Sequence, residues 1–137
     1  MTNILVMESN TPDAIAKGAP EAADFFVQTC AAVAPDVALI KAAPYAGPIH
    51  PDAFHGMDGV IFTGAGVPFA TDAPEAAPLR AAMEAAFAAG LPVWGSCNGL
   101  HLAAVVLGGA TGASPNGLEA GLARQILGGD REPPRHT

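Results

Sequence analysis

The chain has 137 residues, half of them hydrophobic and only 14% charged. That is enough apolar material for one globular core and too much for a disordered chain. Six Lys and Arg against thirteen Asp and Glu give a formal net charge of -7, which speaks against nucleic acid or an anionic membrane surface as the main partner. No apolar stretch reaches transmembrane length, and the amino terminus lacks the basic start of a secretory signal. The two cysteines, Cys30 and Cys97, are too few for a secreted disulfide scaffold, so a reducing, cytoplasmic setting is expected.

Residues 3–7 (NILVM) form a short, wholly apolar run, as expected of a buried parallel strand. A polar loop punctuated by proline and glycine follows over 8–20. Pro20, Glu21 and Asp24 suit a first helical turn, because proline has no N–H to lose there and carboxylates favour the positive end of the helix dipole. Phe25, Phe26, Thr29, Cys30 and Val33 then recur at helical spacing, which places Cys30 in the core, and Pro35 stops the run. Residues 37–40 make a second strand, followed by an irregular connection with three prolines. Residues 59–63 make a third strand, and a loop begins at Gly64. A helix over 75–89 ends at Gly90, which serves as its carboxyl-terminal cap. Residues 91–95 (LPVWG) are a fourth strand and 98–109 a fourth helical segment. Residues 110–127 read as a hairpin or a last strand with turns. Arg124, Arg131 and Arg135, three of the six basic residues, crowd the end of the chain. Residues 128–137 read as a disordered tail behind a single domain over 1–127.

Strands alternating with helices imply an α/β three-layer sandwich, a mostly parallel sheet with helices on both faces. In such sheets the chemistry gathers at the carboxyl ends of the strands. The loops after Met7, Ile40, Thr63 and Gly95 qualify.

After Gly95 the chain reads GSCNG over 95–99. A residue at a sharp strand-to-helix elbow is pushed out of the surface, and flanking glycines let neighbouring backbone pass without Cβ clashes. The amino terminus of the following helix turns its N–H groups and positive dipole end toward the Cys97 sulfur and favours the reactive thiolate. The Asn98 N–H would lie beside an oxyanion formed by attack at a carbonyl. The pentapeptide alone is equally compatible with an inert cysteine in a tight turn. A second stretch, Gly64-Ala65-Gly66, ends the third strand at the same sheet edge and offers a second amide donor. As a dinucleotide fingerprint it is weak, since Phe69 stands where a glycine is wanted and no helix begins directly.

The pairing of DGVIFTGAG (58–66) with GLPVWGSCNGLHLAAVVLGG (90–109) resembles the class I glutamine amidotransferases, in particular the glutaminase domain of GMP synthase and its stand-alone relatives. The first stretch resembles a strand ending in a Gly-rich oxyanion loop. The second resembles the G-x-C-x-G-x-Q nucleophile elbow, and GLEAG (117–121) resembles the E-x-G that follows its helix. The resemblance implies a flavodoxin-like, amidotransferase-like fold lacking its carboxyl-terminal part. It makes Cys97 the nucleophile that attacks the glutamine side-chain amide to form a thioester. Asn98 and Ala65 match the positions whose backbone N–H groups form the oxyanion hole. Gly64, Gly66 and His101 fall at substrate-contacting positions, His101 where the family has Gln and Ala65 where it has Gly. Glutamine is the implied substrate, and a synthase receiving the ammonia is the implied partner. No metal or other cofactor is implied.

The family completes its triad with a downstream H-x-E, whereas the tail here has Glu132 and His136 without that spacing. His50 and His55 lie in the Pro-rich connection, where solvent exposure is expected and a metal site is not. His101, one helical turn after Cys97, is expected to line the pocket. Glu8 is expected to be a solvated loop carboxylate, although in the related DJ-1/PfpI group an acidic residue from that region pairs with the elbow cysteine. Three readings therefore stand beside one another: a glutaminase, a non-catalytic amidotransferase-like binding domain, and a redox or hydrolytic cysteine protein using Glu8. An uncovered sheet face that favours self-association is a further expectation.

Overall fold

Four short apolar runs pair into one all-parallel sheet in a computed structural model that describes residues 1–112. The GLEAG stretch, all but the first three residues of the expected hairpin over 110–127, and the tail at 128–137 lie outside the described residues. The strands are β1 (Thr2–Met7), β2 (Val37–Ala42), β3 (Gly59–Phe62) and β4 (Val93–Gly95), in the spatial order β2-β1-β3-β4. The helices are α1 (Pro12–Ala16), α2 (Ala22–Val33), α3 (Ala77–Ala88) and α4 (Asn98–Val106). The chain is therefore an α/β protein, and its strand order is consistent with a flavodoxin-like arrangement.

The register sorts the side chains onto two faces, because aligned residues of parallel neighbours share a face. Leu5 aligns with Ile40 and Val60, and Val60 with Val93; Met7 aligns with Ala42 and Phe62, and Phe62 with Gly95. On this face Leu79 and Met83 of α3 and Leu102 of α4 close a core over Leu5, Met7, Val60 and Phe62. Val6, Lys41, Ile61 and Trp94 form a row on the opposite face. There α2 supplies the cover: its Asp24 accepts a 2.6 Å hydrogen bond from Lys41 Nζ, and its Phe26 ring meets Trp94 edge-on at 6.0 Å between centroids.

That cover is thin. Among the residues of α2 only Ala23 is fully buried. Phe25 is 68% exposed and Trp94 57% exposed. Cys30 is therefore half-buried rather than core. The helical spacing of its neighbours is real, but the face they share meets too little sheet to bury it.

Two further elements depart from expectation. Residues 12–16 fold into α1, not a loop. Thr11 caps it, its hydroxyl accepting the Ala14 N–H at 3.1 Å, and Pro12 occupies the first turn, where a missing N–H costs nothing. The Pro-rich connection after β2 is not wholly irregular, since it makes 3-10 turns at Pro44–Ala46 and Pro51–Phe54. Gly90 does cap α3: at φ +75° it donates its N–H to Phe87, while Leu91 reaches back to Ala86, the paired closure of a Schellman motif.

Candidate active site at the β4–α4 elbow

Strand β4 ends at Gly95 and α4 begins at Asn98, so Ser96 and Cys97 make the whole turn. Cys97 adopts φ +54°, ψ -105° and is the one non-glycine residue with positive φ among those described. A side chain held there costs about 1–3 kcal/mol and persists only where the surroundings enforce it. The enforcing contacts are backbone hydrogen bonds. Ser96 donates its N–H to the Phe62 carbonyl at 3.0 Å and Gly99 donates to Ser96 at 2.9 Å. Leu100 and His101 donate to the Cys97 carbonyl at 3.0 and 3.1 Å.

The two glycines of the pentapeptide are required by close approach. A Cβ on Gly95 would stand 2.5 Å from the Gly99 carbonyl group, and a Cβ on Gly99 would stand 2.4 Å from the Phe62 carbonyl oxygen. The first turn of α4 thus lies directly on the backbones of β3 and β4. Cys97 is left at the tip, exposed.

The Gly64–Gly66 loop runs alongside. A Cβ on Gly64 would lie 3.5 Å from the Cys97 Cβ, so the two loops touch across the ends of β3 and β4. Thr63, fully buried, ties this loop to β1: its hydroxyl accepts the Ser9 N–H at 3.0 Å and donates to the Gly64 carbonyl at 2.9 Å. Gly66 donates its N–H to Asn10 Oδ1 at 2.9 Å, whereas the Ala65 N–H meets no acceptor among the described residues. The Asn98 N–H, at the first position of α4, lies among the amides that a helix leaves without an internal partner. The Asn98 side-chain oxygen is buried and likewise without a partner among the described residues. Cys97, Ala65, Asn98, Gly64 and Gly66 are therefore gathered at one end of the sheet.

His101 is exposed on α4. Its backbone N–H reaches the Cys97 carbonyl, but no described group is hydrogen-bonded to its imidazole. His50 and His55 flank Asp52, with ring-nitrogen to carboxylate distances of 3.5 and 3.7 Å, and all three are largely exposed. Glu8 is not a solvated carboxylate: it is 5% exposed. Its two oxygens accept the Ala23 N–H at 2.9 Å and the Asn10 N–H at 3.0 Å. It therefore caps the amino end of α2, with no hydrogen bond to Cys97 among the described residues. The first turn of α2 thus points its Ala23 amide at Glu8, across 15 residues of chain.

A cavity of about 420 Å³ opens between α1, the start of α2 and the end of β2, lined by Glu8, Asn10, Ile15, Glu21, Lys41 and several alanines. Cys97 does not line it. At its rim, hydrogen bonding to Lys41 holds the Asp24 carboxyl below the usual aspartate range, and the same contact holds the Lys41 ammonium above the usual lysine range. In the 3-10 turn Pro44–Ala46, burial raises the Tyr45 phenol. Asn10, Ser9 and Thr63 are the site residues that the sequence did not single out. Their one signal was position, polar residues directly after the apolar runs of β1 and β3.

Comparison of the chain with protein-family models, curated proteins and solved structures yields no match. Among the described residues no helix is long and apolar enough to cross a membrane.

Proposed function

We propose that this chain is a class I glutamine amidotransferase-like domain with Cys97 as its nucleophile. The sulfur attacks the side-chain carbonyl carbon of glutamine. The negative charge that develops on the oxygen is met by the N–H groups of Ala65 and Asn98. The C–N bond breaks, ammonia leaves with the thiol proton, and a thioester remains. Water then hydrolyses the thioester to glutamate and restores the thiol. Gly64, Gly66 and His101 line the substrate side of the elbow, and a synthase subunit or domain consumes the ammonia. The fold is the amidotransferase-like variant of the flavodoxin-like arrangement.

The single observation that carries this reading is the backbone of Cys97. An exposed thiol held at φ +54°, between two glycines whose Cβ atoms would collide with backbone, is more than packing requires. Ammonia release from glutamine tests it. The expected result is slow turnover that disappears in Cys97→Ser; turnover surviving in Cys97→Ser contradicts the assignment. A second reading, a glutamine-binding domain without turnover, is favoured by one observation. No imidazole or carboxylate is hydrogen-bonded to Cys97 among the described residues. Loss of a general base lowers acyl transfer by about 10²–10⁴-fold. Saturable glutamine binding without ammonia release is the outcome that selects this reading.

A further inference from the structure

We infer that Asn10 is a positioning residue that clamps the Gly64–Gly66 loop so that the Ala65 N–H is the amide left free for the reacting oxygen. The inference rests on the proposed glutaminase reading for its catalytic consequence, and on geometry alone for the clamp.

Two peptide groups flank Ala65. The Gly64 carbonyl and the Ala65 N–H belong to the first, and a trans peptide points them in opposite directions. Thr63 Oγ1 donates to that carbonyl at 2.9 Å, which turns the Ala65 N–H the other way. The Gly66 N–H belongs to the second peptide, and Asn10 Oδ1 accepts it at 2.9 Å. Each peptide group is thus fixed by one side chain from outside the loop or at its root. Packing does not do this at Gly66, where a Cβ would find nothing within 4 Å. Gly64 and Gly66 are glycines with many accessible conformations, so the loop depends on these two hydrogen bonds.

Asn10 is built for the task. It is 5% exposed, and its backbone N–H, its side-chain oxygen and its side-chain nitrogen are each engaged. Its Nδ2 donates to the Pro20 carbonyl at 3.0 Å, and its own N–H donates to Glu8 Oε2 at 3.0 Å. Glu8 is in turn held by the Ala23 N–H at 2.9 Å. Reversing the Asn10 amide would set an N–H against the Gly66 N–H and an oxygen against the Pro20 oxygen. The orientation of the acceptor is therefore locked, and the line from the start of α2 through Glu8 and Asn10 to Gly66 is continuous.

The test compares the wild type, Asn10→Ala and Asn10→Asp by amide hydrogen exchange and by glutaminase kinetics. Asp keeps an acceptor for Gly66 and loses the donor to Pro20. The clamp predicts that the Gly66 amide exchanges at least about tenfold faster in Asn10→Ala and at an intermediate rate, slower than in Asn10→Ala, in Asn10→Asp, which keeps the acceptor but sets an oxygen against the Pro20 carbonyl. It also predicts that kcat falls by about 10²-fold in Asn10→Ala, comparable to the loss of one oxyanion donor, with KM little changed. Asn10→Asp should restore part of that kcat. Wild-type exchange and kcat in Asn10→Ala overturn the proposal, as does an Asn10→Asp variant as impaired as Asn10→Ala. If the wild type releases no ammonia, the glutaminase reading fails, and the exchange data alone then decide the clamp. If Asn10→Ala does not fold, the Gly66 exchange rate in Asn10→Asp decides it, slow supporting and fast contradicting.

Discussion

A single methyl group added at Gly99 would sit 2.4 Å from the Phe62 carbonyl oxygen. Backbone cannot yield there without lifting α4 off β3. Gly99→Ala is therefore expected to destabilise the fold by about 1–3 kcal/mol or more, the usual cost of overpacking a close contact. Gly64→Ala is its control, since there the added Cβ would make an ordinary contact at 3.5 Å from the Cys97 Cβ. Urea denaturation of both variants separates the two cases; equal stability would show that the glycine of the elbow is incidental. Much of this was legible in the sequence. The spacing of Gly95, Cys97 and Gly99 announced a tight elbow because only glycine tolerates such approach. What could not be read were the partners: Asn10 meets Gly66 across 56 residues of chain, and no local pattern reports such a pairing. The burial of Glu8 is hidden for the same reason. A carboxylate after a strand looks solvated from sequence, whereas α2 starts against it and donates the Ala23 N–H.

At the scale of elements, α2 carries the clearest electrostatic signature. Lys41 of β2 bonds Asp24 at 2.6 Å and Glu21 at 3.4 Å. The depressed Asp24 pKa gives a stabilisation that is present above the ordinary aspartate value of 3.8 and fades as the pH falls through and below it. The raised Lys41 pKa gives one present below the ordinary lysine value of 10.5 and lost as the pH rises above it. Asp24→Asn is thus expected to lower Tm slightly near neutral pH, with the difference vanishing in strong acid and shrinking in high salt because the pair is half-exposed. A Tm difference that persists at pH 2 would assign the effect to packing instead. The strands, α3 with its Gly90 cap, and α4 follow their sequence patterns to within two or three residues. Helix α1 is hidden in the sequence because TPD reads equally as loop punctuation and as a helix cap with its first turn, the role Thr11 and Pro12 play here. Cys30 is half-buried and not core, because periodicity reports which residues share a helix face, and not how much surface that face meets.

Among the described residues the two faces of the sheet are unequally covered. One is closed by α3 and α4 over Leu5, Met7, Val60 and Phe62, while Trp94 on the other stands 57% exposed. The strand order puts the ends of β1, β3 and β4 side by side, and so brings Asn10, the Gly64–Gly66 loop and Cys97 to one edge. An α/β parallel sheet, with loops gathered at the carboxyl ends of its strands, was foreseeable from alternating strands and helices; how far α2 covers its face was not, because periodicity does not report how much surface a helix meets. The two cysteines test the central claim within one molecule. Cys97 stands at the elbow, and Cys30 lies half-buried on α2. Treatment of the intact chain with an electrophilic glutamine analogue, followed by peptide mass mapping, reads them together. The account predicts one adduct per chain, at Cys97, suppressed by excess glutamine and absent in Cys97→Ser. Equal labelling of Cys30 and Cys97, or labelling indifferent to glutamine, would contradict it.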